Sequence, residues 1–312
     1  MTRYLIVRLG QVVPVLLGVS LVVFLLVRLI PGDPATAQLG ARATPALIQA
    51  ARHRLHLDEP LWQQYLHYLG GAVHGDFGTS YFYQTSVFSL AMARVPLTLE
   101  LIGLASLMAL LMAFPIATLA AVRRGRAFDQ LARLAFTAAL GVPSFWLGLV
   151  LALYFGVRTR VFPVVGGGTG GLDTIYHLTL PAFTIAISML PLLGRSLRSS
   201  LIDVLQSDFV LTARAARLRR RFYLQSYLWR NSILPLITVY SVNIGWLLGG
   251  TVIVEEIFGL PGLGSLLINS ITTRDYAIIQ VVTAILAVFV IASNLLTDIT
   301  YMLVDPRVEL HR

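Results

Sequence analysis

Six stretches of this chain carry no formal charge over about the length of a membrane span: Leu9 to Val27, Leu101 to Val122, Leu134 to Val157, Thr174 to Gly194, Asn231 to Val254 and Tyr276 to Thr297. A helix needs roughly 20 apolar residues to cross a hydrocarbon core of ~30 Å. In lipid, every backbone N–H and C=O must be satisfied within the structure, so such runs cross as helices. The predicted fold class is therefore all-α, a polytopic membrane protein with about six transmembrane helices. Composition agrees: 12% of residues are charged, about half the share of a soluble domain, and a water-facing surface cannot be built from so few. The first run is not read as a cleaved leader. Arg28, Ile30 and Pro31 follow it, where a small-residue cleavage site would stand.

The formal charge of +9 would suit a nucleic-acid binder, but its distribution does not. All 24 basic residues are arginine, and they gather in short segments between the apolar runs. Sixteen fall on one side of the predicted membrane: Arg3 and Arg8; Arg123, Arg124, Arg126 and Arg133; Arg195, Arg198, Arg214, Arg217, Arg219, Arg220, Arg221 and Arg230; Arg307 and Arg312. The positive-inside rule puts that side, and both termini, in the cytoplasm. The predicted organisation is a first helix over 1–30, an external helical insert over 31–95, a transmembrane core over 96–304 with a cytoplasmic loop at 195–231, and a tail at 305–312. The insert weighs little in the orientation argument, because long loops translocate largely regardless of charge.

Two absences exclude chemistry. Without Cys there are no disulfides, thiolate metal sites or cysteine nucleophiles. Without Lys there is no Walker A phosphate loop and no Schiff-base lysine. Any ATP this protein uses must be bound by another chain. Ser144 has no nearby histidine base, and the spans offer no paired Asp, Ser-His or His-Glu constellation for an intramembrane enzyme. A self-sufficient secondary transporter usually carries intramembrane ionisable relays, which these runs essentially lack. His53 and His56 have an i, i+3 spacing, but no Cys or carboxylate cluster completes a metal site with them, His67 or His74. Glu255, Glu256 and Asp298 read as helix-end residues reaching to the interface or to a partner.

Within the insert, Thr44 reads as an N-cap with Pro45 at the first helical position, followed by Leu47, Ala51 and Leu55 at a spacing of four. A second helix carries Leu61, Tyr65 and Leu69 on one face with Trp62 and Leu66 beside them, and Gly70-Gly71 is read as its end. Pro143 and Pro235 break the third and fifth runs. Gly166-Gly167-Gly168 and Gly170-Gly171 read as a flexible outer loop. They neither follow a strand nor open a helix as a phosphate cradle would. No internal repeat of the inverted-transporter kind is apparent.

The cytoplasmic loop is the most informative segment. Asp208 reads as the N-cap of a short helix that presents Phe209, Val210 and Leu211 to water, where apolar residues are unfavourable unless a partner covers them. Asp208-Phe209-Val210-Leu211-Thr212-Ala213-Arg214-Ala215 and Arg230-Asn231-Ser232-Ile233-Leu234-Pro235 resemble the EAA-type coupling loop of ABC importer permeases of the dipeptide, oligopeptide and nickel group. The resemblance runs through most of the chain. It includes Pro14 to Ser20, Arg28 to Pro34, Leu57 to Leu61, Gly75 to Gly78, Val142-Pro143-Ser144-Phe145-Trp146, Glu255 to Gly264 and Asp305-Pro306-Arg307. Arg217 departs from the pattern: the family places a glycine there, which tolerates the positive φ of a tight turn, so a different turn or a continuous helix is implied.

The resemblance implies one half of a transmembrane pathway for dipeptides or oligopeptides in the bacterial inner membrane. Nickel or glutathione is the alternative cargo. It also implies a second, homologous permease subunit, two ATPase subunits or domains that carry ATP and magnesium, and an external substrate-binding protein. Nucleic acid is no partner, and this chain itself holds no cofactor. Asp208, Phe209, Val210, Leu211, Thr212, Ala213, Arg214 and Ala215 would couple to the ATPase. Pro143, Ser144, Phe145, Trp146 and Asn243 are the pathway or gate candidates.

Overall fold

The computed structural model describes residues 2–29, 35–36, 44–54, 57–216, 236–241 and 243–304. Eleven helices carry the argument: α1 (Thr2–Leu29), α2 (Pro45–Arg54), α3 (Leu61–Val73), α4 (Val87–Val122), α5 (Ala127–Leu140), α6 (Ser144–Leu151), α7 (Leu172–Leu205), α8 (Asp208–Ala215), α9 (Ile244–Ile257), α10 (Leu263–Thr273) and α11 (Tyr276–Val304). After α6 the chain widens into a π-helical segment, Ala152–Arg158. Among the described residues the β content is one isolated bridge, Thr79 with Ser86.

Helix α4, helix α7 and the Tyr276–Thr300 stretch of α11 are long and apolar enough to cross a membrane. The apolar stretch of α1, Gly10–Leu26, is shorter. The third uncharged run is not one straight span. Helix α5 and the helix Ser144–Arg158 meet at 100°, and Pro143 stands between them in extended geometry. Proline has no N–H to continue the helical ladder, and it pushes the residue before it out of the helical region. The fifth run begins among residues 217–235, outside the described residues. Its visible part is the helical segment 236–241 and α9.

The described residues form two compact units. The first comprises residues 1–98 and 261–291. Its core joins Val87 and Ala91 of α4, Leu263 and Leu266 of α10, and Ile278, Val281 and Val282 of α11, with Phe77, Ile285 and Phe289 packed around them. Thr98 Oγ1 accepts a hydrogen bond from Leu263 N at 2.9 Å, satisfying one of the orphan donors at the start of α10. Ser80 donates to Asp275 Oδ2 at 2.6 Å inside this unit. Burial pushes the neighbouring Tyr81 hydroxyl above its ordinary range, and the carboxylate of Asp275 adds to that.

In the insert, Thr44 Oγ1 accepts from Leu47 N at 3.4 Å, the expected capping contact. The glycine pair, however, does not end α3, which continues to Val73. A Cβ on Gly71 would lie 2.5 Å from the Asp76 carbonyl oxygen. Glycine is needed there because the returning chain passes against the helix.

The second unit comprises residues 99–260 and 292–312. Helix α7 is its most buried span, and α5, α6 and α9 pack against it. It accommodates Pro181 and Pro191 without interruption. A Cβ on Gly194 of α7 would fall 2.4 Å from Phe136 Cζ, so this glycine lets the ring of α5 lie directly on the backbone of α7. Ser106 of α4 and Tyr240 share a hydrogen bond of 2.6 Å, and Ser241 donates to Thr297 of α11 at 2.9 Å. The glycine-rich loop is not slack. Gly166 N donates to Phe258 O at 3.3 Å, Gly170 N to Thr174 Oγ1 at 3.1 Å, and Thr169 N to Asp173 Oδ2 at 2.7 Å. Glycine suits it because Gly166, Gly168, Gly170 and Gly171 all have positive φ.

Candidate coupling segment and pathway residues

Helix α7 ends at Leu205, and two residues later α8 begins. The turn is closed by Gln206 N onto Ile202 O at 3.1 Å and by Ser207 Oγ onto Val204 O at 2.6 Å. Asp208 is the first helical residue rather than the cap. Val210 N bonds Ser207 O at 3.0 Å, which makes Ser207 the residue that opens the helix. The Ser207 hydroxyl turns backward to α7, so it serves the preceding helix instead of capping its own. At the far end, Ala216 N donates to Thr212 O at 2.9 Å.

The exposure expected for Val210 is reversed. Its side chain is fully buried within the chain, and α8 packs back onto α7. Val210 therefore faces the interior of the chain rather than water. Asp208, Thr212 and Ala215 are exposed. Their i, i+4, i+7 spacing places them on one exposed face of the helix. Phe209, Leu211, Ala213 and Arg214 lie within the helix. Arg217 and the Arg230 to Pro235 signature lie outside the described residues.

Just before this segment, Arg198 forks onto Asp129: Nε donates to Oδ1 at 2.6 Å and Nη2 to Oδ2 at 2.7 Å. Gly125 N adds a third donor to Oδ2 at 2.9 Å. The Asp129 side chain is 2% exposed and that of Arg198 17%, so the pair is largely out of water. It locks the first turn of α5 to the last turns of α7, where a bidentate guanidinium fixes geometry as well as charge. Sequence reasoning counted Arg198 only as a topology charge and passed over Asp129. The available signal was one acidic residue standing among Arg123, Arg124, Arg126 and Arg133.

At the break in the third run, Pro143 precedes α6. Phe145 and Trp146 are about half exposed, and Leu149 and Leu153 continue their surface. The opposite side of α6 is tightly seated, since a Cβ on Gly148 would meet Thr184 Cγ2 at 3.4 Å and Phe258 at 3.5 Å. Ser144 is partly buried. Asn243 precedes α9 and donates Nδ2 to Val239 O at 2.7 Å, closing its own turn. Helix α9 packs against α6, yet no hydrogen bond joins Asn243 to Ser144. The structure thus places the pathway candidates on neighbouring helices without forming them into one polar group. Glu255 does not reach out to an interface; it is buried at the end of α9, and its carbonyl accepts from Leu260 N at 2.9 Å. Phe258 and Gly259, with φ of +52° at the glycine, make the turn that leads on to α10. His74 Nδ1 lies 2.8 Å from Gly70 O and His67 3.3 Å from Glu59. Among the described residues no group of three or more His, Asp or Glu stands together.

Residues 113–310 match the family described as the binding-protein-dependent transport system inner membrane component, and residues 1–102 match its N-terminal companion. The chain belongs to this family. The oligopeptide transport system permease protein AppB of Bacillus subtilis is 38% identical to it, with 99% of this chain and 100% of that protein covered. The dipeptide transport system permease protein DppB of Escherichia coli is 35% identical, over 99% of each. The glutathione transport system permease protein GsiC of the same species is 34% identical, again over 99% of each. A crystal structure of an amino acid ABC transporter with histidines superposes with a TM-score of 0.51 at 18% identity, covering 68% of this chain and 92% of that one. At that identity the likeness concerns the fold: an all-α, polytopic ABC importer permease. The chain is a permease component of a transport system.

Proposed function

We propose that this chain forms half of a transmembrane pathway for short peptides, opened by ATPases that grip the exposed face of α8. The observation that carries the reading is similarity along the full chain to permeases named for oligopeptide and dipeptide transport. The glutathione permease is nearly as similar, and glutathione is itself a short peptide. A nearly charge-free lining is consistent with such cargo. Ser, Thr, Asn and Gln can hydrate a peptide backbone through adaptable hydrogen bonds without reading its side chains.

In this reading both termini and α8 lie in the cytoplasm, and the inner membrane of a bacterium holds the chain. A second, homologous permease completes the pathway. Two ATPase subunits hold ATP and magnesium, and an external binding protein selects the cargo. Coupling would run through the second unit. Helix α8 is seated on α7, α7 is locked to α5 by Arg198 and Asp129, and α5 is hinged to α6 at Pro143. A displacement of α8 by an ATPase would then reach Ser144, Phe145 and Trp146 through connected, packed elements.

The test is reconstitution. The chain, its sister permease, the ATPases and the binding protein encoded with it are placed in vesicles. ATP-dependent uptake of a labelled dipeptide, a longer peptide, glutathione and a nickel chelate is then compared. Uptake of peptide but not nickel is the expected result; uptake of nickel alone would reject the peptide reading.

A further inference from the structure

Helix α3 stands in the insert between α1 and α4, yet it does not sit clear of the apolar part of α1. The Tyr65 hydroxyl lies 2.8 Å from Ser20 Oγ and donates to Leu17 O at 3.1 Å. The Phe24 ring lies tilted against Tyr65, at 5.4 Å, and Tyr68, at 6.1 Å, and the two tyrosines stack on each other at 6.3 Å. All three α1 residues belong to its apolar stretch Gly10–Leu26. At 1.5 Å rise per residue, Phe24 is about 3 Å and Leu17 about 13 Å below the end of that stretch at Leu26. If α1 crosses the bilayer, α3 is held beneath the outer edge of the hydrocarbon.

The sequence of α3 suits that depth. Leu61–Val73 contains no Asp, Glu, Lys or Arg. At about 100° per residue its side chains divide into three sectors. Gln64, Tyr65, Tyr68 and Gly71 face the protein, with Gln64 buried and its Nε2 bonded to Glu59 O at 2.7 Å. Gln63, His67 and Gly70 form a polar sector. Between them runs a stripe of Trp62, Leu66, Leu69 and Val73, in which Trp62 is 62%, Leu66 55% and Val73 83% exposed. Leu21, Val22, Leu25 and Leu26 of α1 are likewise uncovered by this chain, so the stripe lies at the level of a second apolar surface that the chain leaves open. A helix with a dry side, a wet side and a tryptophan at its edge has the makeup of an interfacial membrane helix.

We infer that α3 lies in the bilayer interface, its Trp62, Leu66, Leu69 and Val73 stripe in contact with lipid acyl chains at the level of Ser20 to Phe24. The orientation proposed above decides only which leaflet this is; the depth follows from the contacts with α1.

The absence of cysteine permits a direct test in the assembled transporter. Single variants Leu66→Cys and Val73→Cys on the stripe, and Gln63→Cys and His67→Cys on the polar sector, are labelled with a nitroxide. They are reconstituted in vesicles of phosphatidylethanolamine and phosphatidylglycerol. Collisions with oxygen should exceed those with a water-soluble nickel chelate at 66 and 73, and the order should reverse at 63 and 67. Nickel dominance at 66 and 73 would put the stripe in water and overturn the inference. Shielding from both reagents with an immobilised spectrum would mean that a protein partner covers it, which overturns it equally. A label-free measurement uses Trp62 alone, with Trp146, Trp229 and Trp246 changed to Phe. Lipids brominated high on the acyl chain should quench its fluorescence, and unchanged emission would count against the inference.

Discussion

Removing Arg198 tests the joint between α5 and α7. In an Arg198→Ala variant, Asp129 keeps one donor, Gly125 N at 2.9 Å, but loses both guanidinium bonds, at 2.6 and 2.7 Å. A carboxylate only 2% exposed then stays buried without its counter-charge. Breaking such a pair from one side destabilises by about 3–5 kcal/mol, mostly because the remaining charge is stranded. Arg198 is 17% exposed, so water reaches part of the site, and the expected loss is at the lower end, about 3 kcal/mol. Asp129→Asn keeps the shape and one acceptor. It leaves the guanidinium without its counter-charge, but Arg198 reaches water, so the expected loss is about 1.5–3 kcal/mol, that of a hydrogen bond to a charged group. The double variant Asp129→Leu/Arg198→Met strands no charge and should recover most of the loss. Denaturant unfolding of the permease in lipid nanodiscs compares these proteins, and adding Asp129→Asn/Arg198→Ala closes a double-mutant cycle with the two single variants and the parent. Additive effects, or an Arg198→Ala protein within about 0.5 kcal/mol of the parent, would show that the pair is not the joint described here.

Gly194→Ala would push a Cβ to 2.4 Å from the Phe136 ring; overpacking of this kind destabilises by about 1–3 kcal/mol. Thermal unfolding should show the loss, and Phe136→Leu in the same chain should relieve it. Val210→Ala removes two buried methyl groups and should weaken the permease itself by about 1–3 kcal/mol, twice the cost of the single group lost in Ile→Val. Phe209→Asp should instead leave insertion intact and reduce ATPase binding in a pull-down; normal uptake by that variant would show that the coupling contact lies elsewhere. A reporter inserted after His74 should be reachable from outside intact cells and one after Arg220 should not, and the opposite result would invert the topology. Ser144→Ala and Asn243→Ala should change uptake rate without reordering a panel of competing peptides. A reordered panel at unchanged binding-protein affinities would show that the pathway selects.

What the sequence revealed and what it hid divide by distance along the chain. The Thr44 cap was legible because its partner, Leu47 N, is three residues away. The break at Pro143 was legible because proline acts on its own neighbours. The role of Gly71 was not, because it depends on where the chain returns at Asp76, so a glycine pair inside a helix looked like its end. Val210 was misplaced for a similar reason. An eight-residue helix with apolar residues at 209, 210 and 211 does not say which side is covered, and after the turn at Gln206–Ser207 it is Val210 that is buried. Asp129 and Arg198 are 69 residues apart, and nothing in their local spacing pairs them.

Helix α4 shows why hydropathy finds a span but not its contacts. Leu101, Ala105, Ala109, Ala113 and Ala117 recur every four residues and are fully buried, whereas Leu107 and Leu111 are more than half exposed. In a soluble protein the larger leucines would mark the core. In a membrane, lipid solvates leucine as well as another helix does, so association gains little from burying it and depends on close backbone approach, which small residues permit. The buried stripe is thus made largely of the least hydrophobic members of an apolar run, and a scale that ranks residues by transfer free energy points to the wrong face. Gly148 and Gly194 follow the same logic, each admitting a neighbouring side chain onto a helix backbone. For a chain of this class, the contact surfaces are better sought among alanine and glycine at a spacing of four than among the largest apolar side chains.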